Sequence, residues 1–292
     1  MSLQDTAMIV NPTFKIWSGR KLDKDATKEL CSDKNAVQGS ARVNKSLMPD
    51  EPKLKAIRKL VGEARNYHYD HTLPWEDRGG GRILPTGLYV PYQKKMEDYK
   101  DRVVVLIKEF CEESYYDRAK TDGMQKLGQL ANAWEYPARA RVHHLFEATI
   151  NYYPIPDPSD FRVQLGAHDI QRLKTKARER EKEIIKKSTE TLWKRLNELA
   201  VHAEERLSDP DKSFHSTLTE NIVHFKEIVG ELNIGEDRFI QQVADDLAHS
   251  VDKDIDQLRK DVNVREGAAN GAKTAVAKIQ AQMEAFSNAR GN

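Results

Sequence analysis

The feature that most constrains the fold of this chain is the scarcity of proline after residue 166. From Gly166 to the end there is one proline, Pro210, and apolar residues recur every three or four positions. That spacing is typical of amphipathic helices. Residues 168–207 are predicted to form one helix of about forty residues, roughly 60 Å long. The same pattern predicts further helices over 218–235, 239–262 and 268–286.

The apolar stripes of these predicted helices are narrow. A narrow stripe contacts two or three neighbouring helices and is not wide enough for a helix that is surrounded by a large core. The seam also slips by one residue at Ile184–Ile185, so a strict heptad coiled coil is not required. We therefore predict an antiparallel bundle or a coiled-coil-like hairpin, closed within one chain or completed by another subunit.

The N-terminal half has the pattern of a small α+β region. Aromatic and β-branched residues alternate with period two over residues 7–19, which favours one or two strands. Residues 82–91 resemble an extended or turn-like segment. Helical spacing predicts helices from Pro52 to just before Tyr67, over 92–110, over 119–135 and over 142–150.

A proline-rich segment separates the two halves. Tyr152–Pro158 contains three prolines, which fix φ and remove hydrogen-bond donors, so this segment cannot be helical. Phe161–Leu165 alternates and is predicted to be a strand that pairs with the N-terminal strand. The predicted fold class is mainly α, with a mixed α+β domain over 1–166 and a long-helix bundle or coiled-coil region over 167–292.

Composition excludes several classes of protein. Lys and Arg number 47 and Asp and Glu 46, a net charge of +1, so total charge favours no class of partner. Cys31 and Cys111 are too few for a secreted disulfide framework. The first residues lack a signal-peptide pattern, and the longest apolar run, Val103–Ile107, is far shorter than a membrane span. We expect a cytoplasmic protein without a membrane segment.

A basic stretch within the longest predicted helix is the strongest indication of a binding surface. Three acidic residues stand among eight basic ones between Gln171 and Lys187. Such a face could neutralise phosphates without reading sequence, or it could be a solvated surface with ion pairs one turn apart. The candidate nucleic-acid contacts are Arg172, Lys174, Lys176, Arg178, Arg180, Lys182, Lys186 and Lys187.

Patterns that would indicate catalysis or metal binding are weak. His143 and His144 are adjacent, and zinc sites on helices prefer a spacing of four residues. His68, Asp70 and His71 could bind a metal or transfer protons, or the segment could pack its tyrosines on the core. Gly79–Gly81 lacks the Gly-Lys-Ser/Thr of a phosphate-binding loop. We predict no catalytic, cofactor-binding or metal-binding residue.

Four short motifs carry a resemblance to a known family. They are Trp17-Ser18-Gly19-Arg20-Lys21 on the N-terminal strand, Gly81-Arg82-Ile83-Leu84-Pro85 ahead of a long helix, Trp134 with Tyr136-Pro137, and Phe161-Arg162-Val163 before the charged helix. In this order they resemble an uncharacterised family of phage and mobile-element proteins, the domain-of-unknown-function family numbered 3150. The resemblance covers most of residues 7–205 and brings no catalytic residues with it.

The resemblance implies a setting for the protein. Members are found in phage-like genomes, often near genes for a MoxR-type AAA+ ATPase or for DNA recombination proteins, so the location would be the host cytoplasm. We predict a non-enzymatic helical scaffold or adaptor of phage or mobile-element type that forms a homo-oligomer or binds a protein partner, with an AAA+ ATPase as the partner that the resemblance implies. The alternative is an accessory protein that binds single-stranded or duplex DNA through a basic helix face. An enzyme with a dispersed histidine site is the third hypothesis.

Overall fold

The structure is a computed structural model that describes residues 2–75, 81–158, 160 and 166–288. Contacts group the chain into two compact units, and each unit is assembled from separate stretches of sequence. The bundle unit comprises Met1–Asn11, His71–Pro91 and Tyr152–Asn292. The mixed unit comprises Pro12–Asp70 and Tyr92–Asn151. The predicted single boundary near residue 166 remains a prediction about domains. The two compact units follow a different division, because each combines separate stretches of the sequence.

Helices make up most of the described chain. They are α1 (Leu3–Thr6), α2 (Lys24–Asp33), α3 (Pro52–Asp70), α4 (Tyr89–Cys111), α5 (Glu113–Leu127), α6 (Arg139–Val142), α7 (Ala167–Leu207), α8 (Thr217–Leu232), α9 (Arg238–Val251), α10 (Ile255–Lys260) and α11 (Val262–Asn288). None of these helices is both long enough and apolar enough to cross a membrane, as far as the described residues extend.

Two small sheets complete the fold. The strands are β1 (Ala7–Lys15), β2 (Arg20–Asp23), β3 (Val43–Ser46), β4 (Leu73–Pro74), β5 (Arg82–Pro85) and β6 (Glu147–Pro154). Four of them form one sheet in the order β4-β5-β1-β6, and β2 pairs with β3. Strands β1 and β5 are antiparallel, with Ala7 opposite Pro85 and Val10 opposite Arg82. A mainly α fold with a small N-terminal sheet and long packed helices is therefore confirmed.

The bundle unit is held together by packing among α7, α8, α9 and α11. Helix α11 presents small residues to its neighbours, among them the buried Ala268, Ala272 and Ala275. Close approach is most evident at Gly271, where an added Cβ would lie 2.3 Å from the Ser250 Cβ of α9. The indole N–H of the buried Trp193 donates to Asp237 at 2.8 Å, which joins α7 to the first residues of α9.

Aromatic side chains form the core of the mixed unit. Phe110, near the end of α4, is fully buried and its ring centroid lies 5.9 Å from that of Tyr116 and 5.8 Å from that of Phe146. Trp17 lies 6.2 Å from the same ring. The Tyr116 hydroxyl donates to the Pro137 carbonyl at 2.8 Å, so its polar atom is satisfied inside this cluster.

Two predicted helix ends in the mixed unit are wrong. Helix α3 does not end before Tyr67 but continues to Asp70, because tertiary contacts hold its last turn: the Tyr67 ring stacks on Tyr92 at 6.0 Å. The helix predicted over 119–135 ends earlier, at Leu127. Gly128 follows with φ of +54°, a left-handed conformation that stops a helix and suits glycine.

Three further predictions need correction. The helix predicted over 142–150 is interrupted, since Ile150 belongs to strand β6, where Thr149, Ile150 and the tyrosines that follow favour extended backbone. Residues 89–91 begin α4 and are not extended; a proline is tolerated in a first helical turn. The helix predicted over 239–262 is divided into α9, α10 and the start of α11. Its break comes from Asp254, whose side chain accepts hydrogen bonds from the amides of residues 256 and 257 and begins a new helix.

The long C-terminal helices otherwise agree with the prediction. Helix α7 runs over Ala167–Leu207 and α8 over Thr217–Leu232, as the apolar spacing indicates. The strand predicted over 161–165 lies outside the described residues. The neighbour of β1 in the sheet, on the side away from β5, is β6.

Candidate partner-binding surface on helix α7

The eight basic residues predicted as a binding surface all lie on α7, but they do not share one face. Successive side chains on a helix are rotated by about 100°, so residues four apart form a row. One row, the 174–186 row, contains Lys174, Arg178, Lys182 and Lys186. The other, the 172–187 row, contains Arg172, Lys176, Arg180 and Lys187.

The 172–187 row is interleaved with carboxylates. The Arg172 guanidinium lies 3.0 Å from Asp169, and the Lys187 ammonium lies 3.6 Å from Glu183. Glu179 and Glu183 fall between the basic residues of this row on the same side of the helix. Its positive charge is therefore partly neutralised within the helix itself.

The 174–186 row has a different environment. Arg178, Lys182 and Lys186 are exposed and Lys174 is half-buried. Within the part of the chain that the structure describes, none of the four makes an ion pair or a side-chain hydrogen bond. Their Cα atoms advance by about 6 Å per step along the helix axis, so the row is about 18 Å long. The row is therefore a series of cations that are not ion-paired within the described chain, and it winds gradually around the helix because residues four apart differ by about 40°.

The first two members of the 174–186 row, Lys174 and Arg178, lie on the face that carries the core further along the same helix. Eighteen residues make about five helical turns, so residues eighteen apart point in the same direction. In this way Lys174 corresponds to Leu192, and Arg178 to Leu196. Both leucines are buried, at 1% and 0% exposure. Buried residues of α7 begin only at Ile184, so residues 167–183 carry charge where the rest of the helix carries core.

A groove runs beside the 172–187 row. It has a volume of about 700 Å³ and lies between α7 and Pro74–Trp75. Basic residues of α7 line it together with the carboxylates of Glu179, Glu183 and Glu190. Because these carboxylates would repel phosphate, the groove suits a polyanion less well than the 174–186 row does.

The histidines do not come together as one site. His68 is buried on α3, where its Nδ1 is 2.7 Å from the Tyr92 hydroxyl. His71 belongs to the other unit, and its ring lies 5.0 Å from that of His224. The rings of His143 and His144 are 4.1 Å apart on the surface. Among the described residues, no three His, Cys, Asp or Glu side chains are placed to hold a metal ion. Gly79 and Gly80 lie outside the described residues.

Comparison with known proteins identifies no relative of this chain. No protein-family model, no curated protein and no solved structure matches it. The assignment of a function therefore depends on the geometry of α7 and on the chemistry of its side chains.

Proposed function

We propose that this protein is a non-enzymatic helical adaptor that binds an acidic protein partner along the 174–186 row of α7. One observation carries the proposal: Lys174 and Arg178 lie on the helix face that is buried core at Leu192 and Leu196. A helix whose buried face ends but which continues for nearly five more turns presents a surface to something outside its own bundle.

Charge determines the kind of partner. A row of four cations that are not ion-paired within the described residues attracts carboxylates or phosphates, increases the association rate and disfavours basic surfaces. The resemblance to the family numbered 3150 remains a prediction. It makes a MoxR-type AAA+ ATPase the first protein to test against this surface.

Site-specific crosslinking in the native host tests the proposal. A photoreactive residue replaces Arg178 in one variant and Glu198 in a control, since Glu198 is also exposed but lies on the half of α7 that contributes to the core. We expect a discrete protein adduct at 178 and none at 198. Changing Lys174, Lys182 and Lys186 to glutamate should remove the adduct. Equal labelling at both positions, or no adduct at 178, would contradict the proposal.

A second candidate function is binding of nucleic acid through the same row. It is favoured by the regular step of about 6 Å between the cations, which is comparable with the spacing of phosphates along a strand. Nuclease digestion of the crosslinked species separates the candidates, because nuclease shortens a nucleic-acid adduct and leaves a protein–protein adduct unchanged.

Direct titration gives the second candidate its own test. A fluorescent single strand and a duplex are titrated with the wild type and with two variants of equal charge loss. One variant has glutamine throughout the 174–186 row and the other throughout the 172–187 row. For duplex binding, we expect the first variant to reduce the slope of log K against log salt by roughly 0.9 for each lost phosphate contact. The second variant should have the smaller effect, and equal effects would remove this candidate.

A further inference from the structure

Trp134 of the mixed unit is the most exposed large apolar side chain in the described part of the chain, at 93%. Among the other tryptophans, Trp193 is buried and Trp17 and Trp75 are half-buried. An indole in water forgoes the burial of some 150–250 Å² that an aromatic side chain usually achieves. Tryptophan is also the residue type most enriched at the centres of protein interfaces.

The turn that carries Trp134 is fixed on both sides. Residues 133–135 form a 3₁₀ turn. The Asn132 side chain accepts a hydrogen bond from the backbone N–H of Trp134 at 3.0 Å. The next residue, Glu135, lies 2.9 Å from the ammonium of Lys45. Tyr136 then donates its hydroxyl to the Leu47 carbonyl at 2.5 Å. The backbone on either side of Trp134 is thus held before any partner arrives.

Lys45 lies at the centre of the contacts that hold this turn. Its ammonium is almost fully buried, donates to the Leu130 carbonyl at 2.8 Å and lies 3.0 Å from Asp23. Burial acts to lower the pKa of Lys45, but its hydrogen bonds to Glu135 and Asp23 outweigh burial and raise the pKa. The Lys45 ammonium therefore stays charged through neutral pH. Because the turn is already ordered, binding through Trp134 loses little conformational entropy.

The same unit also contains an open apolar groove between α3 and α4. Its volume is about 520 Å³, and Ala56, Leu60, Val105 and Leu106 provide its apolar surface. Val105 is 52% exposed, although it lies in the longest apolar run of the chain. Four charged side chains stand at the rim: Lys59, Glu63, Asp101 and Arg102.

The groove has the chemistry that an indole needs. Its apolar floor accepts the ring, and a carboxylate at the rim, from Glu63 or Asp101, accepts the indole N–H. A cation at the rim, from Lys59 or Arg102, can lie over the ring face. One chain therefore carries both an apolar anchor that is held rigid and an apolar groove of matching polarity.

We infer that Trp134 of one copy inserts into the α3–α4 groove of a second copy. The contact is heterologous, because the two copies use different surfaces, and each bound pair keeps one unused tryptophan and one unused groove. Repetition of the contact builds a ring or a chain of subunits. Neither row of α7 takes part, so this inference and the proposed function fail independently.

The test uses two complementary variants of the full chain. Trp134→Ala retains the groove and loses the anchor, and Val105→Asp retains the anchor and places a charge in the groove. Both positions are exposed, so folding should be preserved, and circular dichroism checks this. Mass is measured by light scattering and sedimentation over a range of protein concentrations.

We expect the mass of the wild type to increase with concentration and each variant alone to stay monomeric. An equimolar mixture should form pairs and stop at two copies, because the mixture contains only one intact anchor with one intact groove per pair. The matched control Trp75→Phe should assemble like the wild type. A monomeric wild type, variants that assemble like the wild type, or a mixture that does not pair would each overturn the inference.

Discussion

The two halves of α7 have similar helical backbone but opposite surroundings. From Ile184 onward the helix buries Leu192, Trp193, Leu196 and other side chains against its neighbours. Residues 167–183 bury none. The hydrogen bonds of the helix backbone are the same in both halves, so the stability of the second half must come from side-chain packing. Residues that are continuous in secondary structure can therefore have separate roles, one in the fold and the other in binding.

The two ends of α7 also differ in how their terminal backbone groups are capped. At the N-terminal end, Gly166 supplies no side-chain cap. At the C-terminal end, Arg265 of α11 donates to the carbonyl oxygens of Arg206 and Leu207, at 2.9 and 3.0 Å. Its guanidinium also reaches the carbonyls of Asp209, Pro210 and Lys212. A cation at this position satisfies unpaired carbonyls and opposes the negative end of the helix dipole.

Matched truncations in the two halves should show the largest difference. We expect Leu196→Ala to lower the free energy of unfolding by about 2–5 kcal/mol, because it leaves a cavity at a fully buried position. Arg178→Ala, on the same face of the helix, should change it by less than about 0.5 kcal/mol. Urea unfolding monitored by circular dichroism measures both. A loss of more than 2 kcal/mol for Arg178→Ala would mean that the first half also belongs to the core.

Removal of the cap at the C-terminal end should have the next largest effect. Arg265→Ala leaves several carbonyls without their charged donor, and we expect a loss of about 2–3 kcal/mol in the free energy of unfolding. Arg259→Ala is the matched control, since Arg259 donates to one carbonyl, that of Phe214 at 3.0 Å. It should lose about 1 kcal/mol. Thermal denaturation of the two variants compares them, and equal losses would show that Arg265 does not act as a multiple cap.

Glycines on α11 test how closely α9 and α11 pack in the bundle that surrounds the second half of α7. An alanine Cβ at position 271 would meet Ser250, so Gly271→Ala should destabilise by about 1–3 kcal/mol. At position 267 no atom of the described residues beyond the adjacent helix backbone lies within 4 Å of an added Cβ, and Gly267→Ala should stabilise the helix by up to about 1 kcal/mol. Opposite signs for two identical substitutions, four residues apart, are the expected result in thermal denaturation. A neutral Gly271→Ala would mean that α9 and α11 are more widely spaced.

Apolar spacing was sufficient to predict the long helices but not their interruptions. Helices α7 and α8 are predictable from the apolar periodicity, because each turn of a bundle helix places an apolar residue against its neighbours. The break before α10 depends on the single side chain of Asp254, and the end of α5 on the backbone of Gly128. Neither residue disturbs the apolar pattern on either side. Tertiary contacts such as the stacking of Tyr67 on Tyr92, which extends α3, are invisible to a local pattern.

The residues of the candidate surface were predicted from the sequence, but their arrangement on the helix was not. Counting charges identifies the eight basic residues of α7 and does not separate the 174–186 row from the 172–187 row. Helical projection of the sequence would have separated them, since the correspondence of Lys174 with Leu192 needs only 3.6 residues per turn. The exposure of Trp134 could not be found in this way. A tryptophan that continues the apolar pattern of Leu127 and Leu130 is expected to be buried, and only the fold shows that it is exposed.

Replacement of the 174–186 row should have the smallest effect on the free energy of unfolding, and it tests whether the row serves the fold or a partner. Like charges four residues apart destabilise a helix by about 0.2–0.5 kcal/mol per pair, and the row contains three such pairs. Because Glu179, Glu181 and Glu183 stand three positions from members of the row and offset much of this repulsion, we expect replacement of all four residues by glutamine to leave the fold unchanged or to stabilise α7 by at most about 0.5 kcal/mol. Hydrogen exchange of the amides over 170–183 and urea unfolding measure this gain. The matched variant of the 172–187 row loses ion pairs with Asp169 and Glu183 and should be slightly destabilised. A row that adds little to helix stability and buries no apolar side chain is best explained by what it binds. A loss of more than about 1 kcal/mol in the first variant would instead make the row part of the fold.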